Sequence, residues 1–423
     1  MFIDDYRLLA VDNYHLQFIE VEIYGITSSQ EVKYRGTGAI HRGDDSRLTI
    51  TIWASQNFSF EKERADVARK LREGQVISQQ LTCRMNARDQ LGRWWRDCEI
   101  FITKITNDES KTIIVAEVDT FVLKVPNDAA DGDLTGETEI ITIHNGPLPF
   151  KITQQNEKCF VWDLSFIVPD FSIKVTRDVP CTKITLHHGN VADRTRIKIL
   201  LEAISICSGR VITPLLMSWY DNESFYLEIF HGQADQGRLP PILDELSSFQ
   251  IENLKIFVEC YLSTFSVPYG ETYAAWHRAY LASGAGIEIS SLALCTAIEG
   301  VVKYRFTEAI PISAEVSDEL ERVDRIISNI DASDWIVKSI QQHLERIRES
   351  KPTVKKSLKS FALSHDISGK QISRWESLRN KIAHFDLLDD TPEENEKLLK
   401  DYKICLGIFF KLIARSAGYH RVN

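Results

Sequence analysis

The spacing of apolar residues changes for good near Phe249, and no other feature limits the fold of this chain as strongly. Before that point, short apolar runs alternate with polar residues or are β-branched, which is the pattern of β-strands. After it, apolar residues recur at every third or fourth position, which is the pattern of amphipathic helices. We therefore predict an α+β protein, with a β-rich domain over residues 1–245 and an all-helical domain over residues 246–423. A break near residues 150–190 would divide the first domain into two subdomains.

The β-rich region contains strand-like runs separated by polar turns. The polar residues 107–110 connect two of these runs as a hairpin, and a second hairpin is predicted over residues 215–230. Residues 191–207, just before the second hairpin, have helical periodicity. The other predicted strands cover residues 15–24, 48–54, 77–84, 98–106, 111–118, 139–143, 160–166, 171–176 and 182–186.

The helical region has clear start and stop signals. Helices are predicted over residues 251–265, 273–282, 287–306 and 333–348, the last with Ser333 as its N-cap. The final helix has the strongest start: Thr391 at the N-cap, Pro392 at the first helical position and Glu394 at the reciprocal position of a capping box. Gly418 is the expected stop.

Composition excludes several classes of protein. No run reaches the roughly 18 apolar residues of a membrane helix, and the N-terminal residues lack the basic segment of a secretory signal. The eight cysteines are scattered without a C-x-x-C pair, so we expect neither a disulfide scaffold nor a zinc knuckle. The predictions are a cytoplasmic protein with no metal, no cofactor and no membrane partner.

The net charge of −10 is unevenly distributed. Residues 271–423 hold 22 basic and 22 acidic side chains, so the first 270 residues carry the whole deficit. The basic stretch Lys351, Lys355, Lys356 and Lys359 is a candidate RNA contact, although such a run is more often a solvated helix face.

The strongest candidate for chemistry is the cluster Arg379, Asn380 and His384 just before the final helix. Asn380 and His384 are four residues apart and would share a face of a helix, which the long Arg379 side chain could also reach. An imidazole exchanges a proton near neutral pH, and a guanidinium offers a planar fork of donors to a phosphate. These residues suit attack by a ribose 2′-hydroxyl on its own phosphate, which needs no metal.

Spacing alone is a weak signal, because Arg35…His41 and Arg415…His420 have similar spacing. The first contains Gly36 and Gly38 in a β-rich region, and the second contains Gly418 at the end of the last helix. The Arg379 cluster alone lies within a helical bundle and has a polar residue directly after the arginine. Glu299, between apolar residues of an upstream helix, and Lys381 are candidate supporting residues, with Glu299 a possible partner of Arg379.

The segment 378–385 resembles the motif of HEPN-domain ribonucleases, in which an arginine, a polar residue and a following histidine lie near the end of a helical bundle. The apolar residues around Glu299 resemble a helix of the ApeA-like branch, which also carries a β-rich N-terminal domain. The resemblance is good over residues 250–423 and loose before them. It implies a homodimer with a composite site, cleavage to 2′,3′-cyclic phosphate and 5′-hydroxyl ends, and a toxin that halts translation when phage is sensed.

We therefore predict a metal-independent endoribonuclease that acts on RNA, with tRNA as one candidate, under control of a β-rich sensor domain and a phage-derived trigger. The alternative is a non-catalytic protein whose helical domain dimerises or binds a partner while the β domain binds a ligand. The mixture of Arg84, Arg88, Arg93, Trp94, Trp95 and Arg96 in the β domain is expected to be a turn that leads a core tryptophan into a strand, rather than a base-stacking surface. His187-His188 is expected to be structural.

Overall fold

The computed structural model describes residues 15–25, 32–43, 47–57, 82–107, 112–118, 120–126, 137–143, 151–154, 157–160, 163–178, 181–188, 193–220, 224–230, 237, 239–243, 251–307, 314–329, 333–348, 353–364, 367–383 and 391–420. Within these ranges the chain forms fifteen strands and nine helices, which confirms the predicted α+β class. It divides into two compact units. The β unit comprises Met1–Gln236 and Ser248–Pro268, and the helical unit comprises Gly237–Ser247 and Tyr269–Asn423.

Six consecutive strands of the β unit close into an antiparallel barrel. β1, β2 and β3 form one meander and β4, β5 and β6 a second; β1 pairs with β4 and β3 with β6, so the ring has no free edge. Apolar residues alternate along each strand and fill the interior around Trp95 and Phe18. The six strands are β1 His15–Gly25, β2 Val32–Arg42, β3 Leu48–Asn57, β4 Thr82–Asp89, β5 Trp94–Asn107 and β6 Thr112–Val118.

Strand β2 approaches β3 unusually closely at Gly36, where the register shifts. A Cβ atom at Gly36 would lie 2.0 Å from the carbonyl oxygen of Trp53, which is backbone and cannot rotate away. A glycine is therefore required at this bend of the barrel.

Substitution of Gly36 by alanine should lower the free energy of unfolding by about 2–3 kcal/mol, because the two strands must separate to admit the methyl group. Gly407, within the last helix, has open space at its Cβ position, so Gly407→Ala should raise stability by roughly 0.5–1 kcal/mol. Urea denaturation of both variants, followed by circular dichroism, would measure these opposite shifts. Equal stability of Gly36→Ala and wild type would contradict the close approach.

Seven further strands extend the barrel into an open antiparallel sheet. Its order is β11-β12-β13-β8-β14-β15-β7, and β7 joins the barrel through the pair Leu123 and Trp95 of β5. The additional strands β9 and β10 form a separate ribbon. The strands are β7 Thr120–Pro126, β8 Glu137–Ile143, β9 Lys151–Gln154, β10 Glu157–Phe160, β11 Asp163–Val168, β12 Phe171–Asp178, β13 Cys181–His187, β14 Pro214–Tyr220 and β15 Ser224–Phe230.

Two helices belong to the β unit, α1 (Arg194–Ser208) and α2 (Ile251–Thr264). The hydroxyl of Tyr261 on α2 donates to the buried Glu202 carboxylate of α1 at 3.1 Å. Nη1 of Arg196 on α1 donates to the carbonyl oxygens of Leu262, at 2.6 Å, and Phe265. These contacts anchor α2 on α1. Consequently the helix predicted at residues 251–265 lies with the β unit, whereas the sequence placed it in a helical domain over residues 246–423.

The helical unit is organised around one central helix, α4. This helix packs against α3, α7, α8 and α9, while α5 and α6 pack on each other as a hairpin with a small core of their own. The helices are α3 Glu271–Ala282, α4 Ile287–Arg305, α5 Ala314–Ser328, α6 Asp334–Arg348, α7 Val354–Ser364, α8 Gly369–Ala383 and α9 Pro392–Ser416. No helix in the described ranges is both long enough and apolar enough to cross a lipid bilayer.

Several local predictions are confirmed by these elements. Thr391 caps α9, accepting a hydrogen bond from the backbone N–H of Glu394, and Gly418 follows the helix with a φ of 74°. Trp95 is fully buried, and its Nε1 donates to Asp89 at 3.0 Å, so the tryptophan-containing turn does lead into a core strand. Strands β2, β7 and β9, and helices α5 and α7, were not predicted.

Candidate active site in the helical unit

Helix α8 carries the first two residues of the predicted motif. Its buried side is formed by Ile372, Trp375 and Leu378, and the helix packs against α4, α7 and α9. Burial of Leu378 leaves the next two residues, Arg379 and Asn380, on the exposed side of the helix. The packing of one apolar stripe therefore determines the position at which both polar side chains leave α8.

Arg379 is bound to the central helix through an ion pair. Its Nε lies 2.9 Å from Oε1 of Glu299 on α4, and its Nη1 lies 3.3 Å from Oδ1 of Asn380. The arginine side chain is 44% exposed and the glutamate side chain 22% exposed. The expected contact between Glu299 and Arg379 is thus present, and it joins residues 80 positions apart.

The ion pair orients the guanidinium without occupying all of it. Glu299 and Asn380 take Nε and Nη1, and no other described residue accepts a hydrogen bond from Nη2 of Arg379. An arginine presents five N–H donors in a planar fork, so the contacts with described residues leave part of this fork available to an oxyanion. Since the pair is partly exposed to solvent, its contribution to stability should be modest.

Lys303, one turn after Glu299 on α4, was missed by the sequence reasoning. Its Nζ lies 4.0 Å from Oε2 of Glu299, so the carboxylate lies between two cations, Lys303 and Arg379. The spacing of four residues between Glu299 and Lys303 was the available signal, since residues at this spacing are neighbours on a helix. These three side chains together carry one net positive charge.

Lys381 makes a different contact from the one its position suggested. Its ammonium group pairs with the carboxylate of Glu394 at the start of α9, and this partner lowers the pKa of the Glu394 carboxyl. Lys381 is half-buried. It therefore connects α8 to α9. Among the described interactions, Lys381 contacts neither Arg379 nor Asn380.

His384, the predicted proton-transfer residue, lies outside the described residues, as does Lys351. Of the other basic residues singled out on α7, Lys355 pairs with Glu376 of α8 at 2.6 Å. Lys356 and Lys359 are exposed on the same helix. The structure thus brings together Arg379, Asn380 and Glu299. A separate ion pair joins Lys355 of α7 to Glu376 of α8.

The other candidate clusters have ordinary structural contacts. Arg88 lies over the ring of Trp94 and pairs with Glu20 at 3.2 Å, on the outside of the barrel. The ring of His188 is 3.0 Å from the hydroxyl of Thr138, and His187 is 3.7 Å from Glu137. In the part of the chain that the structure describes, no three His, Cys, Asp or Glu side chains are grouped as metal ligands.

Comparison of this chain with models of protein families, with curated proteins and with solved structures gave no match. The function of the chain must therefore be inferred from the chemistry of the side chains around Arg379.

Proposed function

We propose that the helical unit is a metal-independent endoribonuclease in which Arg379 and His384 are the catalytic residues and Asn380 assists them. The observation that carries this proposal is the guanidinium of Arg379, which is exposed, is oriented by Glu299 and, among the described residues, contacts only Glu299 and Asn380. A group held in this way can bind a phosphate and stabilise the charge that builds on its oxygens during attack.

The reaction needs one proton acceptor and one proton donor. The ribose 2′-hydroxyl loses its proton to His384 and its oxygen attacks the adjacent phosphorus, while Arg379 holds the non-bridging oxygens. The bond from phosphorus to the 5′ oxygen breaks, and that oxygen takes a proton. In a composite site of two chains, His384 of a second copy would supply it. The products are a 2′,3′-cyclic phosphate and a 5′-hydroxyl end.

The resemblance of residues 378–385 to the HEPN motif supports the same reaction and extends the proposal. We place the protein in the cytoplasm as a homodimeric anti-phage effector that cleaves RNA, with tRNA as the first candidate substrate. Because free cleavage would harm the host, the β unit would act as the sensor that restrains the helical unit until a phage-derived trigger binds.

The deciding experiment incubates the full-length protein with end-labelled tRNA in EDTA and identifies the ends of the products. We expect cuts with 2′,3′-cyclic phosphate and 5′-hydroxyl ends. A 2′-deoxy nucleotide introduced at a mapped cleavage position should prevent that cut alone, because the attacking hydroxyl has been removed. Cleavage of the deoxy substrate at the same position would exclude this mechanism.

The rival function is a non-catalytic binding protein, and the exposed basic residues Lys356 and Lys359 leave a binding surface available to it. In this alternative the helical unit dimerises or binds a partner while the β unit binds a ligand, so RNA should remain intact. If the purified protein does not cut, the assay is repeated in lysate from phage-infected cells, which supplies the trigger. Intact RNA in both settings would favour the rival.

Glu299 should act as a positioning residue in this reaction. Glu299→Gln keeps the shape of the side chain but weakens its hold on Arg379, so kcat should fall about fivefold, as expected for the loss of roughly 1 kcal/mol. KM should change little. Glu117→Gln, which breaks the exposed Arg47–Glu117 pair of the β unit, is the matched control. Unchanged kcat in Glu299→Gln would mean that this pair is structural.

A further inference from the structure

Two histidines face each other across the barrel strands β1 and β2. His15 and His41 lie directly opposite each other in this antiparallel pair. Side chains at such positions have Cβ atoms about 5 Å apart, on the same face of the sheet. Their chain neighbours Leu16 and Ile40 are buried inside the barrel, so the two imidazoles lie on its outer surface.

The two rings are separated by nearly the distance expected for two ligands of one metal ion. Their centroids are 5.6 Å apart and their planes are inclined at 55°, so the rings are not stacked face to face. Two imidazoles bound to one tetrahedral Zn²⁺, each with a Zn–N distance of about 2.1 Å, have centroids roughly 5 Å apart. A small rotation of one side chain would therefore bring both rings onto the same ion.

Both imidazoles are accessible, and the environment of His41 favours the form that binds metal. His15 is exposed and His41 is half-buried. Partial burial, and after it the neighbouring His15, lower the pKa of His41, because both disfavour the charged imidazolium. A metal ion binds only the neutral imidazole. His41 therefore meets an ion at neutral pH without first having to lose a proton.

We propose that His15 and His41 form a binding site for a late first-row transition-metal ion, the class that includes Zn²⁺, Ni²⁺ and Cu²⁺ and that favours imidazole ligands. Thr49 lies opposite His41 on β3, and its hydroxyl is a weak ligand for these ions. The protein thus supplies two ligands and water fills the remaining positions. This agrees with the finding that no three metal-ligand side chains are grouped in the described ranges.

A bound ion would join β1 to β2 and so stabilise the barrel. An ion that binds the folded barrel but finds no preformed pair of imidazoles in the unfolded chain shifts the folding equilibrium toward the folded state. The site lies in the β unit and takes no part in the RNA cleavage proposed for Arg379 and His384. It would therefore bind metal equally in a protein that does not cut RNA.

Calorimetric titration of the full-length protein with Zn²⁺, after treatment with EDTA and dialysis, tests the proposal. His15→Gln and His41→Gln should each bind the ion about 10²-fold more weakly than wild type, because one imidazole alone lacks the second, intramolecular contact. The double variant should lose little more than either single variant. His187→Gln is the matched control, since His187 is 55% exposed in the same unit and also has a histidine beside it in sequence. It should bind Zn²⁺ as wild type does.

Thermal melting gives a second readout and shows that the variants fold. Without metal, wild type and the three single variants should melt alike, because the substituted side chains lie on the surface. Zn²⁺ should raise the melting temperature of wild type and His187→Gln, but not that of His15→Gln or His41→Gln. Wild type that does not bind Zn²⁺, undiminished binding by His15→Gln or His41→Gln, or an equal loss in His187→Gln would each overturn the proposed site.

Discussion

Replacement of Arg379 by alanine should reduce RNA cleavage by about 10²–10³-fold, the effect of removing one preorganised oxyanion donor from an active site. The loss should appear in kcat as well as in kcat/KM, because a guanidinium that stabilises the phosphorane is needed most in the transition state. The variant should fold normally, since the Arg379 side chain is 44% exposed and its pair with Glu299 contributes little to stability.

Two companion variants separate the chemistry of Arg379 from its charge. Arg379→Lys keeps a cation but lacks the planar fork, so its activity should lie between those of alanine and wild type. Arg374→Ala removes an arginine from the same helix that is 52% exposed and paired with Asp401, and its activity should stay within about threefold of wild type. The measurement is single-turnover cleavage of labelled tRNA in EDTA. Equal losses in Arg374→Ala and Arg379→Ala would indicate general disruption of α8.

The strands and helices with a strong local periodicity could be predicted from the sequence. The runs at residues 15–24, 48–54, 215–220 and 225–230 lie within observed strands, and Thr391 caps α9 as predicted. By contrast, β2 contains Gly36 and Gly38 and many polar residues, so its alternation is weak even though it completes the barrel. Closure itself depends on β1–β4 and β3–β6 pairs that are distant in sequence.

The unit to which α2 belongs also could not be predicted from local periodicity. Helical periodicity identifies α2 correctly but carries no information about what it packs on. That is decided by Glu202 and Arg196 on α1, each more than fifty residues away. Tertiary contacts of this kind override the assignment of a helix to the nearest helical domain.

At the candidate site, the sequence predicted residues but not their contacts. The motif together with its setting in a helical bundle singled out Arg379 and Asn380, and the apolar neighbours of Glu299 indicated Arg379 as a possible partner. The observed pair between Glu299 and Arg379 agrees with that expectation, whereas the pairs of Lys381 with Glu394 and of Lys355 with Glu376 could not be read from spacing. Both depend on how α8 is rotated against α7 and α9.

Replacement of His384 by alanine should have the largest effect, a loss of about 10²–10⁴-fold in the rate of cleavage, because proton transfer from the 2′-hydroxyl would lose its acceptor. RNA binding should remain, since Arg379 and the basic residues of α7 are unchanged. The matched control is His420→Ala, which removes the histidine of the similarly spaced pair Arg415…His420 at the end of the chain. Its activity should equal that of wild type.

Added imidazole distinguishes a lost proton acceptor from a distorted site. If His384 transfers a proton, free imidazole can enter the space left by the truncated side chain and should restore part of the activity of His384→Ala in a concentration-dependent way. The same addition should not restore Arg379→Ala, which lacks a charge donor rather than a base. If His384→Ala cuts RNA as fast as wild type, His384 is not part of the mechanism. If the variant loses RNA binding together with cleavage, the role of His384 is structural.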